Sequence, residues 1–420
     1  MWARENKMKF NEQKSKMMII TRRRLKIKRE YKIYLNNTIM RQEETIKYLG
    51  IIIDKRLNFN AHIDYMTGKC IKLLHALSKS AKVNWGLRHD VLRMVYSGAI
   101  LPILSYGVQV WVDSLQRTSN ASKPMRIQRL TNIKIAKAYR TTSHEALCLL
   151  TGITPVVIEL ETTAKLHHIT RGKNQDGLYD APVNHRRWAH PAKAIELKNK
   201  RDDMHYKLEI CTDCSEPEKA VGSGVAIFVD GSLTHQLRYK LAEKCSNNQA
   251  EQLAIVKALT KLSSMHTIQG NQRTTVIHTD SRITLEAIAN PKNHQSLVES
   301  IRKEIRTLEE DGWIVHFLWV KAHANNLGNE LADQLAKEAA YDSSIETTYH
   351  VYPKSAVTSG LKCLGLQQRH SEWDNTNKGA LTKTFFSDDK RQTNQTTTNE
   401  PKPINGSKWA REIKVLSVQI

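Results

Sequence analysis

From Tyr206 to Tyr341 the apolar residues change period in a fixed order, and that order limits the fold more than any other feature of the chain. YKLEICTD and VGSGVAIFV have strand composition, the second behind a glycine turn, and THQLRYKL alternates as a half-exposed strand does. Asp230-Gly231 stands between the last two, the pair that a tight hairpin turn favours. The period then becomes helical in NNQAEQLAIVKALTKL, with Asn247 read as the N-cap and Ile255, Ala258, Leu259 and Leu262 as the inward stripe. TTVIHTDS follows as a strand, SLVESIRKEIRTL as an amphipathic helix, WIVHFLWV as a strand and NELADQLAKEAA as a closing helix. Three strands, helix, strand, helices, strand, helix describes an α/β domain, here bounded at 205–342.

Carboxylates recur at telling places in this pattern. Asp213 ends the first strand, Asp280 ends the fourth and Asp333 lies in the last helix. Glu251 stands one turn before Ile255, on the buried face of the first helix. Like charges gathered together raise one another's pKa and weaken a fold, a penalty that divalent cations remove. Two cations bridged by carboxylates clamp a phosphodiester, one activating water and the other stabilising the leaving oxygen, so the set predicts phosphodiester hydrolysis. Asp230 competes with Asp213 for the first position. A three-stranded meander must fit before the helix of Glu251; the 38 positions from Asp213 allow it and the 21 from Asp230 do not, so Asp230 is read as a turn residue. Asp333 taken alone reads as the i, i+4 partner of Lys337, but three companion positions favour a metal role. Cys211 and Cys214 form a CxxC without the second pair that a zinc site takes.

At these residues the chain resembles the ribonuclease H family. The matching stretches are TDCS around Asp213, NNQAE around Glu251, HTDS around Asp280, and WVKAHANNLGNELADQLAKEAA around His323 and Asp333. The resemblance implies a ribonuclease H-like mixed five-stranded sheet with flanking helices, acting on the RNA strand of RNA–DNA hybrids. It implies Asp213, Glu251, Asp280 and Asp333 as ligands of two Mg2+ ions, with Mn2+ a possible substitute, and His323 in a mobile loop assisting proton transfer or product release. Ser215, Asn247 and Asn248 match positions that approach the sugar–phosphate edges, where a 2′-hydroxyl distinguishes RNA from DNA. Trp313 and Trp319 fall in an apolar run and are read as core. One residue departs from the family pattern: Cys214 stands where the family has glycine, which puts a side chain into the site. That departure motivates the alternative, a catalytically inactive remnant that only binds nucleic acid.

The remainder of the chain carries most of its charge. A formal net charge of +22 makes a polyanionic partner, nucleic acid, the first expectation. Residues 1–60 are rich in Lys and Arg, with MMII and YLGIIID read as short strands, and 61–200 repeat apolar residues at helical spacing. Met94 to Val112 is uncharged but interrupted by Gly98, Pro102 and Gly107, so it is read as a buried helix broken at Pro102 and not as a membrane span. ELKNKRDD reads as a linker, and 343–420 as a polar, disordered tail. Scattered cysteines fit a reducing, intracellular setting, nucleus or cytoplasm. KYLGIIIDKRLNFNAHI and GAILPILSYGVQVW resemble the end of the palm and the thumb of reverse transcriptases of non-LTR (LINE-type) retrotransposons, as far as about Lys173. The resemblance implies a palm remnant over 1–60, a thumb or connection over 61–200, and a chain that is the carboxy-terminal part of a polyprotein. The polymerase signature of an aromatic residue before paired aspartates is missing, since Asp202-Asp203 lies in the linker and Asp388-Asp389 in the tail; no polymerase activity is expected.

Overall fold

The structure, a computed structural model, describes residues 5–20, 32–80, 88–171, 179–183, 192, 195, 197–198, 206–216, 220–265, 273–321 and 326–385. The chain divides into two units, one of residues 1–168 with 360–420 and one of residues 169–359.

In the first unit, β1 (Tyr34–Leu35) pairs with β2 (Thr38–Ile39), and β3 (Thr45–Tyr48) with β4 (Ile51–Asp54), both antiparallel. YLGIIID is therefore not one strand: it folds back at Leu49-Gly50, whose φ angles of 45° and 84° suit a tight hairpin turn. MMII gives only an isolated bridge from Met17 to Gln42. The Asp54 carboxylate accepts backbone N–H bonds from Arg56, Asn58 and Phe59 and so ties the hairpin to the start of α1 (Asn60–Ser80).

Helices follow: α2 (His89–Val95), a π-helical turn over Tyr96–Ile100, α3 (Leu101–Ser105), α4 (Val108–Trp111), α5 (Thr118–Ala136), α6 (His144–Thr151) and α7 (Val156–Arg171). The expected break at Pro102 is corrected. Pro102 occupies the first turn of α3, behind the widened π turn, where its missing N–H is tolerated. The chain instead turns at Gly107, whose φ of 62° an L side chain rarely adopts. Ile63, Met66, Ile100, Leu104, Trp111 and Ile127 form the centre of the core. Among the described residues no single helix is long and apolar enough to cross a membrane.

The second unit is built on one sheet. The strands are β5 (Leu197–Lys198), β6 (Leu208–Ser215), β7 (Val221–Val229), β8 (Ser232–Leu241), β9 (Thr274–Thr279), β10 (Ile314–Trp319) and β11 (Thr347–Tyr349). Their order across the sheet is β11-β8-β7-β6-β9-β10-β5. β6–β7–β8 is an antiparallel meander, and β9 and β10 add parallel to β6. The five expected strands form the centre, and a short parallel strand extends each edge. β5 corrects the linker reading, because Leu197 and Lys198 pair with Phe317 and Leu318. The helices are α8 (Asn247–Ser263), α9 (Arg282–Ala289), α10 (Ser296–Glu310) and α11 (Leu327–Tyr341).

Two details of this unit position the chemistry. Asp230 and Gly231 make the β7–β8 turn with φ angles of 50° and 75°, as the DG pair suggested. Gly222 and Gly224 belong to no turn: they lie within β7, on one face, and a Cβ there would meet the carbonyl oxygens of Ala336 and Ala332 at 2.0 and 2.1 Å. The backbone of α11 therefore rests directly on the strand.

The expectation of a polar disordered tail from residue 343 is corrected as far as residue 385. β11 joins the sheet, α12 (Lys354–Asn375) buries Val357, Leu361 and Trp373, and α13 (Ala380–Phe385) follows. Trp373 packs on Ala146 and Leu149 within the first unit. Three well-spaced apolar side chains suffice for a helix that is otherwise polar, which average composition conceals. Residues 386–420, with Asp388 and Asp389, lie outside the described residues, as do Asp202 and Asp203.

Candidate active site

The pairing of β6 with β9 stops at Thr212 opposite Thr279, so Asp213 and Asp280 leave the ends of two neighbouring parallel strands side by side. α8 returns after the meander with Glu251 in its second turn, and α11 crosses the same strands with Asn329 and Asp333 one turn apart. The separation argued from chain length is the one observed, since β7 and β8 lie between Asp213 and α8. Asp230 is exposed in the turn between those strands.

Asp213, Cys214 and Glu251 come closest together, each with a potential ligand atom within 4.8 Å of the other two. Asp213 is 8% exposed and Glu251 4%. Asp213 Oδ1 accepts the Cys214 backbone N–H at 2.7 Å, and Oδ2 accepts Asn329 Nδ2 at 3.0 Å. Burial is the main cause that pushes the Asp213 carboxyl up to about 7; neighbouring Asp280 adds to it and the Cys214 N–H opposes it. Burial likewise raises Glu251 to about 8, with Asp213 the next cause and the hydrogen bond from the Cys214 thiol opposing. Glu251 Oε2 is buried and accepts no hydrogen bond among the described residues. Two buried carboxyl groups, one with an orphaned oxygen, fit a cation, because hard oxygen ligands are what Mg2+ and Mn2+ take.

Asp280 and Asp333 lie outside the tight group, yet both act on it. The Asp280 charge raises Asp213 and Glu251, and that of Asp333 raises Asp213. Asp333 is 19% exposed and holds Lys337 Nζ at 2.6 Å, so the ordinary i, i+4 pair is present as well. Its bond to Asp333 raises Lys337, and Lys337 in turn lowers Asp213. His323 lies outside the described residues.

Ser215 ends β6 beside the group, half-buried. The N-cap of α8 is Ser246 and not Asn247: Ser246 Oγ accepts the Gln249 N–H at 3.3 Å and Gln249 Oε1 accepts the Ser246 N–H at 3.1 Å, a complete capping box. Asn247 and Asn248 are thereby exposed in the first turn, above Glu251 on the same side of the helix. Trp313 is core, at 6% exposed, but Trp319 is only half-buried. Its Nε1 donates to the Asp280 carbonyl at 2.9 Å, and the Arg282 guanidinium stacks 4.3 Å above its ring.

Asn329 is the residue that sequence reasoning missed. It is 4% exposed and orients the Asp213 carboxylate. The available signal was its place one helical turn before Asp333, which puts both on one face of α11. Cys211, by contrast, packs under Gly328 and stands an odd number of residues from Cys214, so the two thiols leave opposite faces of β6 and form no chelating pair.

Residues 205–341 match the RNase H family. A Pol polyprotein from the type-1 retrotransposable element R1 4 of Nasonia vitripennis is 32% identical over 148 residues, 35% of this chain and 37% of that protein. A ribonuclease H of Actinobacillus succinogenes is 28% identical across 34% of this chain and 97% of its own length. Among solved structures, ribonuclease H1 of the archaeon Halobacterium salinarum covers 31% of this chain and 96% of its own, at 20% identity and a TM-score of 0.25. The chain spans 37% of the Nasonia polyprotein and 14% of the R1 polyprotein of Bradysia coprophila.

Proposed function

We propose that this chain, whose residues 205–341 are a ribonuclease H domain, hydrolyses the RNA strand of RNA–DNA hybrids as part of a retrotransposon polyprotein. The observation that carries the reading is the pair Asp213 and Glu251, buried together with Glu251 Oε2 lacking a hydrogen-bond partner among the described residues. In this reading Asp213, Glu251, Asp280 and Asp333 hold divalent cations, Mg2+ or Mn2+. Bound there, the cations would supply an activated water and charge stabilisation at the leaving oxygen.

The chain's own residues set the geometry for this chemistry. Asn329 and the Cys214 N–H fix both oxygens of Asp213. Ser215, Asn247 and Asn248 take the sugar–phosphate edge of the RNA strand, and His323 assists proton transfer or product release. The net charge of +22 strengthens hybrid binding at low salt.

The test is cleavage of a labelled hybrid by the purified chain, with Mg2+ and with a chelator. Cleavage is expected only with the metal, and Asp280→Asn is expected to abolish it while hybrid binding persists. Full activity in Asp280→Asn would remove the proposed site. A second reading, a catalytically inactive nucleic-acid binder, is favoured by one observation: the Cys214 thiol lies within 4.8 Å of ligand oxygens of both Asp213 and Glu251 and so takes up space in the site. Cleavage gained by Cys214→Gly, with none in the unaltered chain, would select it.

A further inference from the structure

We propose that Cys214 turns the carboxylate group into a mixed sulfur–oxygen site, where a thiophilic divalent cation, zinc or cadmium, binds across Asp213, Cys214 and Glu251 in competition with Mg2+. This rests on the reading of Asp213 and Glu251 as a cation site, and not on whether the chain cleaves hybrid.

Three observations carry it. The Cys214 sulfur and one oxygen from each carboxylate lie within 4.8 Å of one another, a spacing that small side-chain rotations bring within one coordination sphere. Glu251, 4% exposed, keeps Oε2 without a hydrogen-bond partner among the described residues, so a buried acceptor is open to a cation. The remaining donor is a thiol, and thiolate selects zinc or cadmium over Mg2+, whose preferred ligands are oxygens. Cys211 contributes nothing, since it lies on the other face of the strand under Gly328.

Binding proceeds without redox change. The Cys214 S–H bond breaks, its proton leaves to solvent, and a sulfur–metal bond forms. Asp213 and Glu251 supply oxygen ligands, which makes a two-oxygen, one-sulfur set.

Cadmium titration of the full chain tests this through the ultraviolet thiolate-to-cadmium charge-transfer band, with calorimetry for stoichiometry. The unaltered chain is expected to show the band at one cadmium per chain, and Cys214→Gly and Cys214→Ser to lose it. Glu251→Gln keeps the thiol and is expected to weaken cadmium binding at least about tenfold. Excess Mg2+ should displace cadmium from the unaltered chain. No band, or one of equal amplitude in both Cys214 variants, overturns the proposal; Cys214→Ser serves if Cys214→Gly does not fold. Mg2+-dependent hybrid cleavage, measured separately, decides the nuclease reading whatever the cadmium result.

Discussion

Two buried glutamates of the second unit, Glu251 and Glu299, have opposite company. Glu299, 7% exposed on α10, holds Arg302 Nη1 at 2.8 Å and faces His294 Nδ1 at 3.0 Å. Arg302 is 1% exposed and spends its other donors on the carbonyls of Ala287, Ile288, Asn290 and Asn293, closing the end of α9. Burial lowers the Arg302 pKa and Glu299 opposes that shift. Glu251 is as deeply buried, but its neighbours are Asp213, Asp280 and a thiol. Burial of a charge thus says little about its role until its partners are named. Where they neutralise it the carboxylate holds helices together, and where they repeat its sign a bound cation offsets the charge in the proposed reading.

The contrast can be broken by experiment, beginning with the largest effect. Arg302→Ala should cost about 3–5 kcal/mol in urea unfolding, because it takes the guanidinium away from buried Glu299 and four carbonyls, while cleavage per folded molecule stays unchanged. Glu251→Gln should lower Mg2+-dependent cleavage about 1000-fold, roughly 4 kcal/mol, and leave metal-free stability equal or higher. If Glu251→Gln instead unfolds the chain as readily as Arg302→Ala, the two sites are of one kind. Asn329→Ala, which frees Asp213 Oδ2, should weaken Mg2+ binding about 10- to 100-fold by calorimetry, without the stability loss of Arg302→Ala.

The smallest effect sharpens the comparison through pH. The folded pKa values of Asp213 and Glu251, about 7 and about 8, stand above the unfolded 3.8 and 4.5, so the folded chain binds more protons in between. Their contribution to stability is fully present below pH about 4 and is lost as pH rises through about 7 to 8. In chelator the melting temperature should fall by a few degrees between pH 5 and pH 8, and Asp213→Asn should flatten that slope. Saturating Mg2+ should flatten it as well.

Much of the second unit was legible because its signals are local. The DG turn, the alternation in THQLRYKL and the positions of Asp213, Glu251 and Asp280 rest on residues a few places apart. What escaped depends on contacts between distant segments. Nothing in SLVESIRKEIRTL says that the side of the helix carrying Glu299 and Arg302 is covered, so the buried pair could not be told from an exposed i, i+3 pair. Asp180 is a further case: it accepts the Ser296 hydroxyl at 2.6 Å and Gln249 Nε2 at 3.1 Å, so a residue assigned to the helical region belongs to the α/β unit. The reading of Asn247 as a cap failed because Ser246 and Gln249 offered a better closure one residue earlier.

The seating of α11 on Gly222 and Gly224 has a mechanical consequence. Main chain meets main chain there, so the spacing between strand and helix does not depend on which side chains fill the hydrophobic interior. Mutational drift in that interior can swell or shrink the layer beneath α8, yet Asn329 and Asp333 stay indexed to β7, like a rod resting in a machined slot. A methyl group added at either glycine would lift both residues away from Asp213 in one movement, and Gly224 is itself the register partner of Asp213 across the strand pair.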